Sequence, residues 1–213
     1  MANASETATF QQPLDFGEIY RKNVFGSAES HSGNGSSLEQ TATIRQLLPG
    51  LLARLGVQTL LDAPCGDFNW MRHVDLGGRT YIGADVVEEL IANNRNAFPG
   101  VDFRCLDIVR DPLPRADLIL CRDCLVHLRA ADAVEAVRNF KRSGATYLLA
   151  TTFTNTEQNE ETFVRGLWRA LNLQKPPFNL PEPLELFNEN CTEAGTLFAD
   201  KSLGLWDLRQ VQL

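Results

Sequence analysis

The sequence predicts an α/β fold built on a mostly parallel sheet, and three observations carry that prediction. Thr59-Leu-Leu-Asp62 and Thr80-Tyr-Ile-Gly-Ala-Asp85 read as short apolar strands that each end on a carboxylate, 23 positions apart. From there to Phe153, strand-like and helix-like segments alternate, and such alternation winds parallel strands through right-handed crossovers. Finally, the segment 116–121 is almost wholly apolar, as a central strand covered on both faces must be.

The elements follow in order. Residues 1–13 are polar and offer no core anchor. Asp15 is placed to cap a short helix through Tyr20 toward Phe25, with Glu18 at the capping-box position. Residues 26–37 are rich in glycine and serine and cannot make a packed element of their own. They suit a plain flexible linker, or a lid whose small residues let backbone approach a ligand. Ser36 and Glu39 form an S-x-x-E capping box into a helix carrying Ile44 and Leu48, and Pro49 should break it or start a second helix to Leu55. Beyond the first two strands, the pattern predicts a helix over 86–98, a strand over 101–108 and a strand over 116–121. It continues with an amphipathic helix over 130–142 and a strand over 145–153. A helical piece near 163–171, the proline-rich 175–183 and strand-like runs at 184–190 and 203–211 complete the chain. The division expected is a flexible N-terminal segment and lid, 1–35, and one domain, 36–213.

Composition excludes some partners. With 213 residues the chain can bury one sizeable core. A net charge of −7 disfavours a nucleic-acid partner, whose phosphates need Lys and Arg. No apolar run approaches the ~20 residues a membrane-spanning helix needs, and the first residues lack the basic start and apolar run of a signal peptide. Five cysteines, mostly in apolar segments, suit a reducing, cytoplasmic compartment. A small-molecule or short oligosaccharide acceptor is the expected partner, with a homodimer as a further expectation.

Paired strand-terminal acids suit a nucleotide-like ligand whose ribose hydroxyls meet the second acid. A dinucleotide would want a G-x-G-x-x-G turn to cradle its pyrophosphate. The turn here is Asp62-Ala-Pro-Cys-Gly-Asp67, with one glycine, a proline and acids on both sides. Two carboxylates repel a pyrophosphate but suit a sulfonium and an ammonium, so charge favours S-adenosylmethionine over NAD. The rival class is an NAD-binding or non-catalytic Rossmann module.

Asp62 to Phe68 resembles the first motif of class I S-adenosylmethionine-dependent methyltransferases, acid-x-Gly-x-Gly-x-Gly, with Pro64 and Phe68 in place of the outer glycines. The resemblance runs from about residue 36 to the C-terminus. It implies a Rossmann-like, seven-stranded, mostly parallel sheet with helices on both faces and an antiparallel C-terminal edge strand. It also implies that Asp85 binds the ribose hydroxyls and that Asp107 and Ile108 meet the adenine. Gly66 and nearby backbone would hold the methionyl part, with Asp62, Pro64, Arg122 and Ser36 as further cofactor-binding residues. Three stretches, 23–30, 64–70 and 199–206, are similar to a group of small bacterial methyltransferases. Within it the functional resemblance is to the sugar O-methyltransferases of mycobacterial methylmannose polysaccharide synthesis, which act on a reducing-end hydroxyl. That implies an O-methyl transfer to a saccharide hydroxyl; small-molecule N- or carboxyl-methyl transfer stays open.

For catalysis the segment Cys121-Arg-Asp-Cys-Leu-Val-His127 is the candidate. His127, with an ordinary pKa near ~6.5, suits a general base, although a packed histidine at a helix start is the plain alternative. His31 and His73 are discounted, as lid and surface residues. Asp123 would orient His127 or, as a carboxylate near the acceptor, hold Mg²⁺. Cys121-x-x-Cys124 without a second pair is a weak zinc signal. Trp70, Trp168 and Trp206 could wall a pocket or fill the core.

Overall fold

A computed structural model describes residues 15–161 and 168–213 of the chain. Seven strands form one sheet: β1 (Thr59–Asp62), β2 (Thr80–Asp85), β3 (Asp102–Cys105), β4 (Leu118–Cys121), β5 (Tyr147–Phe153), β6 (Glu185–Asn188) and β7 (Lys201–Asp207). Their order across the sheet is β3-β2-β1-β4-β5-β7-β6. The first five pair in parallel, and β7 runs antiparallel to both β5 and β6. The Rossmann-like sheet with its antiparallel C-terminal element is therefore present, β7 lying one strand in from the edge.

Alternation within β1 explains the two layers. Leu60 packs with Ile44, Leu48, Leu51 and Leu52 of α2 (Ala42–Arg54) and with Leu90 and Ile91 of α3 (Glu88–Ala97). Leu61, one residue on, faces Ala133, Val137 and Phe140 of α4 (Ala130–Arg142) on the other side. Each such leucine contributes roughly 1.5–3 kcal/mol by leaving water. All four residues of β4 are buried, as its apolar run predicts.

Register brings the strand ends together. Asp62 pairs with Gly83 and Leu120, so β1, β2 and β4 finish at one edge. The reversal of β7 sets its first residue, Lys201, opposite Phe153 at the end of β5. That edge holds the site.

Two local expectations are corrected. Pro49 lies inside α2 and does not divide it. Its missing N–H and ring clash cost ~3 kcal/mol, which burial of Ile44, Leu48, Leu51 and Leu52 on either side outweighs. The Ser36–Glu39 capping box does not form. Ser36 ends a 3₁₀ turn, Asn34–Ser36, and α2 begins at Ala42. Ser37 takes over instead: its carbonyl accepts from Thr41 Oγ1 at 2.7 Å and its hydroxyl accepts from Gln40 N–H at 3.2 Å. The segment 26–37 buries Ser27 and Ser30. Hydrogen bonds do the work that its composition cannot do with apolar side chains. At the N-terminus Asp15 caps α1 (Phe16–Arg21) through Gly17 N–H, as expected. The helix expected near 163–171 falls mostly outside the described residues. Among the described residues no helix is long and apolar enough to cross a membrane.

Candidate functional site

A cavity of about 440 Å³ opens at the carboxyl ends of the strands, where open α/β sheets hold ligands. Asp62, Pro64, Gly66, Asp85, Ser36, Arg122, Asp123 and His127 all line it. Asp107 and Ile108 do not. After β3 the chain turns tightly, Asp107 Oδ1 accepting from Val109 N–H at 2.9 Å while the Ile108 carbonyl accepts from Asn139 at 2.8 Å.

One end is acidic. Asp85, buried at the tip of β2, accepts from Gly66 N–H at 3.2 Å and Val87 N–H at 3.0 Å. Asp62 accepts from the Tyr81 hydroxyl at 2.8 Å. Burial pushes Asp62 up to about 7, against the Tyr81 hydrogen bond, and Asp85 up to about 6, against its backbone donors. Gly66 has φ +54°, and a Cβ there would lie 2.2 Å from Ser32 Oγ, so only glycine fits between this turn and the overlying segment.

These carboxyls set a pH dependence. In the ligand-free fold Asp62 and Asp85 hold protons that the unfolded chain has released above about pH 4, so stability should fall as pH rises through about 4 to 7. Asp123 acts in the opposite sense below that window. Melting temperatures should decline from about pH 5 to pH 8; a steady rise over that range would contradict the assignment.

The segment over the turn is fastened at three points. Asp67 accepts from Ser30 Oγ at 3.0 Å and from His31 N–H at 2.9 Å. Asn69 Nδ2 donates to Glu29 at 2.9 Å and to the Ser36 carbonyl at 3.1 Å. Arg122 Nη1 donates to the Gly35 carbonyl at 2.8 Å. His31, discounted from sequence, consequently lines the cavity.

The other end carries aromatic and charged groups. Trp168, 42% exposed, lies 4.6 Å from the Phe198 ring and 5.5 Å from that of Phe153. All three line the cavity. Trp206 is core instead, its Nε1 donating to the Pro181 carbonyl at 2.8 Å. Trp70 does both, being buried and lining the cavity. His127 closes a 3₁₀ turn, Leu125–His127, with its ring 5.1 Å from that of Phe25.

Asp123 sits at φ +51° just past β4, its N–H donating to Thr151 Oγ1 at 2.8 Å. Its Oδ2 meets Lys201 Nζ at 2.5 Å and Arg122 Nη1 at 3.2 Å. Burial opposes its charge, but Lys201 and Arg122 outweigh burial and hold the carboxyl at about 2. This corrects the Mg²⁺ expectation: two fixed cations already neutralise Asp123, and a divalent ion there would face both. Among the described residues no three His, Cys, Asp or Glu side chains are grouped to hold a metal. Cys121 and Cys124 likewise have no third His, Cys, Asp or Glu grouped with them among the described residues to build a zinc site. By contrast the acidic end, with the tight approach at Gly66, fits S-adenosylmethionine. Lys201, Glu189 and Glu193 were not expected at the site, although 199–206 is one of the three stretches that carry the resemblance.

Residues 61–146, about two fifths of the chain, match the family model of a methyltransferase domain. No curated protein matches the chain in sequence. Its fold is similar to that of an S-adenosylmethionine-dependent methyltransferase from Clostridium acetobutylicum, at 13% identity over 90% of this chain and 97% of that one, TM-score 0.59. It is also similar to human N-acetylserotonin methyltransferase, at 11% identity over 89% of this chain and 61% of that one, TM-score 0.54. The [4+2]-cyclase SpnF shares it too, at 19% identity over 74% of this chain and 64% of that one, TM-score 0.52. Such identities establish the fold alone, and the cyclase illustrates that one fold hosts more than one reaction. The family match covers the strands and turns that carry Asp62, Gly66, Asp85, Arg122 and Asp123. By that match, residues 61–146 are similar to a methyltransferase domain.

Proposed function

We propose that the enzyme methylates a hydroxyl of a small saccharide, such as the reducing-end hydroxyl of a short mannoside, in the cytoplasm. The observation that carries this reading is the exposed Trp168 face beside Asp123, Glu193, Lys201 and His127 in one cavity. A polyol needs an apolar stacking face together with hydrogen-bonding groups of both kinds, and this end of the cavity supplies both.

S-adenosylmethionine supplies, when bound, an electrophilic methyl on a sulfonium. Asp85 holds the ribose hydroxyls, while Gly66 and the acids around it receive the cationic methionyl end. Trp168 and Phe198 position the acceptor, and Asp123 accepts a hydrogen bond from it. His127 would take the proton that the acceptor hydroxyl gives up. With both partners aligned, positioning supplies much of the acceleration.

Residues 26–37 act as the lid. Ser32 Oγ lies against Gly66, where the segment covers the turn. Amide exchange there should slow on saturation with S-adenosylhomocysteine; unchanged exchange would leave a static loop.

A second reading rests on the same aromatic cluster. Glu193 beside these aromatic faces also suits an amine, so N-methyl transfer is the rival. Transfer of labelled methyl to mannose, mannobiose and a panel of amines separates them. We expect product on a mannoside; label on amines only would replace the sugar reading.

A further inference from the structure

Four charged side chains at the acceptor end form a closed ring of alternating sign. Arg122 Nη2 lies 2.6 Å from Glu189 Oε2, and Arg122 Nη1 lies 3.2 Å from Asp123 Oδ2. Lys201 Nζ completes it, 2.5 Å from Asp123 Oδ2 and 4.0 Å from Glu189 Oε2. The fold assembles the ring from three strand ends. Arg122 and Asp123 follow β4, Glu189 follows β6, and Lys201 opens the reversed β7. The side chains of Arg122, Glu189 and Lys201 are 4%, 2% and 5% exposed, whereas that of Asp123 is 24% exposed. The ring is thus buried on three corners and open on one.

Both cations share the same oxygen of each carboxylate. Asp123 Oδ2 is consumed by the ring, and among the described residues Oδ1 takes only a long 3.5 Å contact from the Thr151 hydroxyl. Burying charges is costly unless they are paired, and removing one partner is far worse than replacing the set. Without Lys201, Asp123 and Glu189 would compete for a single guanidinium.

We propose that Lys201 is a positioning residue for the acceptor: by closing this ring it fixes Asp123 with Oδ1 available to the methyl-accepting group. The inference rests on reading this cavity as the methyl-transfer site. Lys201 itself does not touch the reacting atoms. The charged groups around Asp123 are Arg122 on its own loop, Lys201 from β7, His127 from the following turn and Glu189 and Glu193 from the segments flanking β7. Of these, only Arg122 would remain as a permanent cation once Lys201 is lost.

The test uses the full chain with mannobiose as acceptor. Lys201→Met should lower kcat roughly 10- to 100-fold, the scale that misplacing a reacting group produces. Affinity for S-adenosylhomocysteine should stay within about threefold, and the acidic limb of the pH–rate profile should move toward neutral. Lys201→Arg should recover most of the loss. A kcat within about twofold of wild type, a parallel loss of S-adenosylhomocysteine binding, or no recovery with arginine would each overturn the proposal. Should Lys201→Met not fold, Lys201→Gln is judged by the same thresholds. If the wild-type enzyme transfers nothing to mannobiose, the saccharide reading fails, and the ring is judged by carboxyl ¹³C titration of the S-adenosylhomocysteine complex. With the Asp123 signal assigned through Asp123→Asn, Lys201→Met should bring its titration up toward neutral pH; an unmoved titration would overturn the proposal.

Discussion

Asp85→Ala should weaken binding of S-adenosylhomocysteine on the order of 100-fold while leaving the protein folded. Two hydrogen bonds from ribose hydroxyls to an ionised carboxylate, each worth about 1.5–3 kcal/mol, set that scale. Stability should change little because two effects oppose each other. The variant leaves Gly66 N–H and Val87 N–H without their acceptor, yet it also removes a carboxylate that burial already destabilises. Calorimetric titration checks affinity and circular dichroism checks the fold. A folded Asp85→Ala that binds within about threefold of wild type would remove Asp85 from the cofactor site.

His127→Ala should lower turnover on a hydroxyl acceptor by roughly 10²- to 10⁴-fold, the range for losing a general base. Cofactor affinity should hold, because the imidazole lines the acceptor end, against Phe25 and near the Asp123 carboxylate. Single-turnover rates with preloaded enzyme separate the step from binding. Near-wild-type rates would assign deprotonation to solvent or to another residue.

The parallel half of the sheet was readable because each of its elements carries a local signal. Two apolar strands ending on Asp62 and Asp85 specify both the sheet and the edge that binds, and the wholly apolar β4 specifies its centre. What escaped depends on contacts distant in sequence. Lys201 and Glu189 join the site only because β7 reverses between β5 and β6, and no local pattern announces that reversal. The segment 26–37 has almost no apolar residues, so periodicity says nothing of it. Its anchors are Asp67, Asn69 and Arg122, residues 30 or more positions away in sequence from those they hold. Pro49 was misjudged because propensity is a weak prior against four buried side chains on the same helix. The Ser36–Glu39 box was a true motif in sequence that lost to Ser37, whose carbonyl already serves Thr41.

Which cofactor the acidic cavity holds separates a methyltransferase from an NAD-linked module. Calorimetric titration of the full chain with S-adenosylhomocysteine and, separately, with NAD decides it. The structure predicts one S-adenosylhomocysteine per chain with affinity in the micromolar range or tighter, and no heat with NAD, whose pyrophosphate would meet the acidic turn that begins at Asp62 and lacks the glycines to cradle it. Binding of NAD with none of S-adenosylhomocysteine would contradict it.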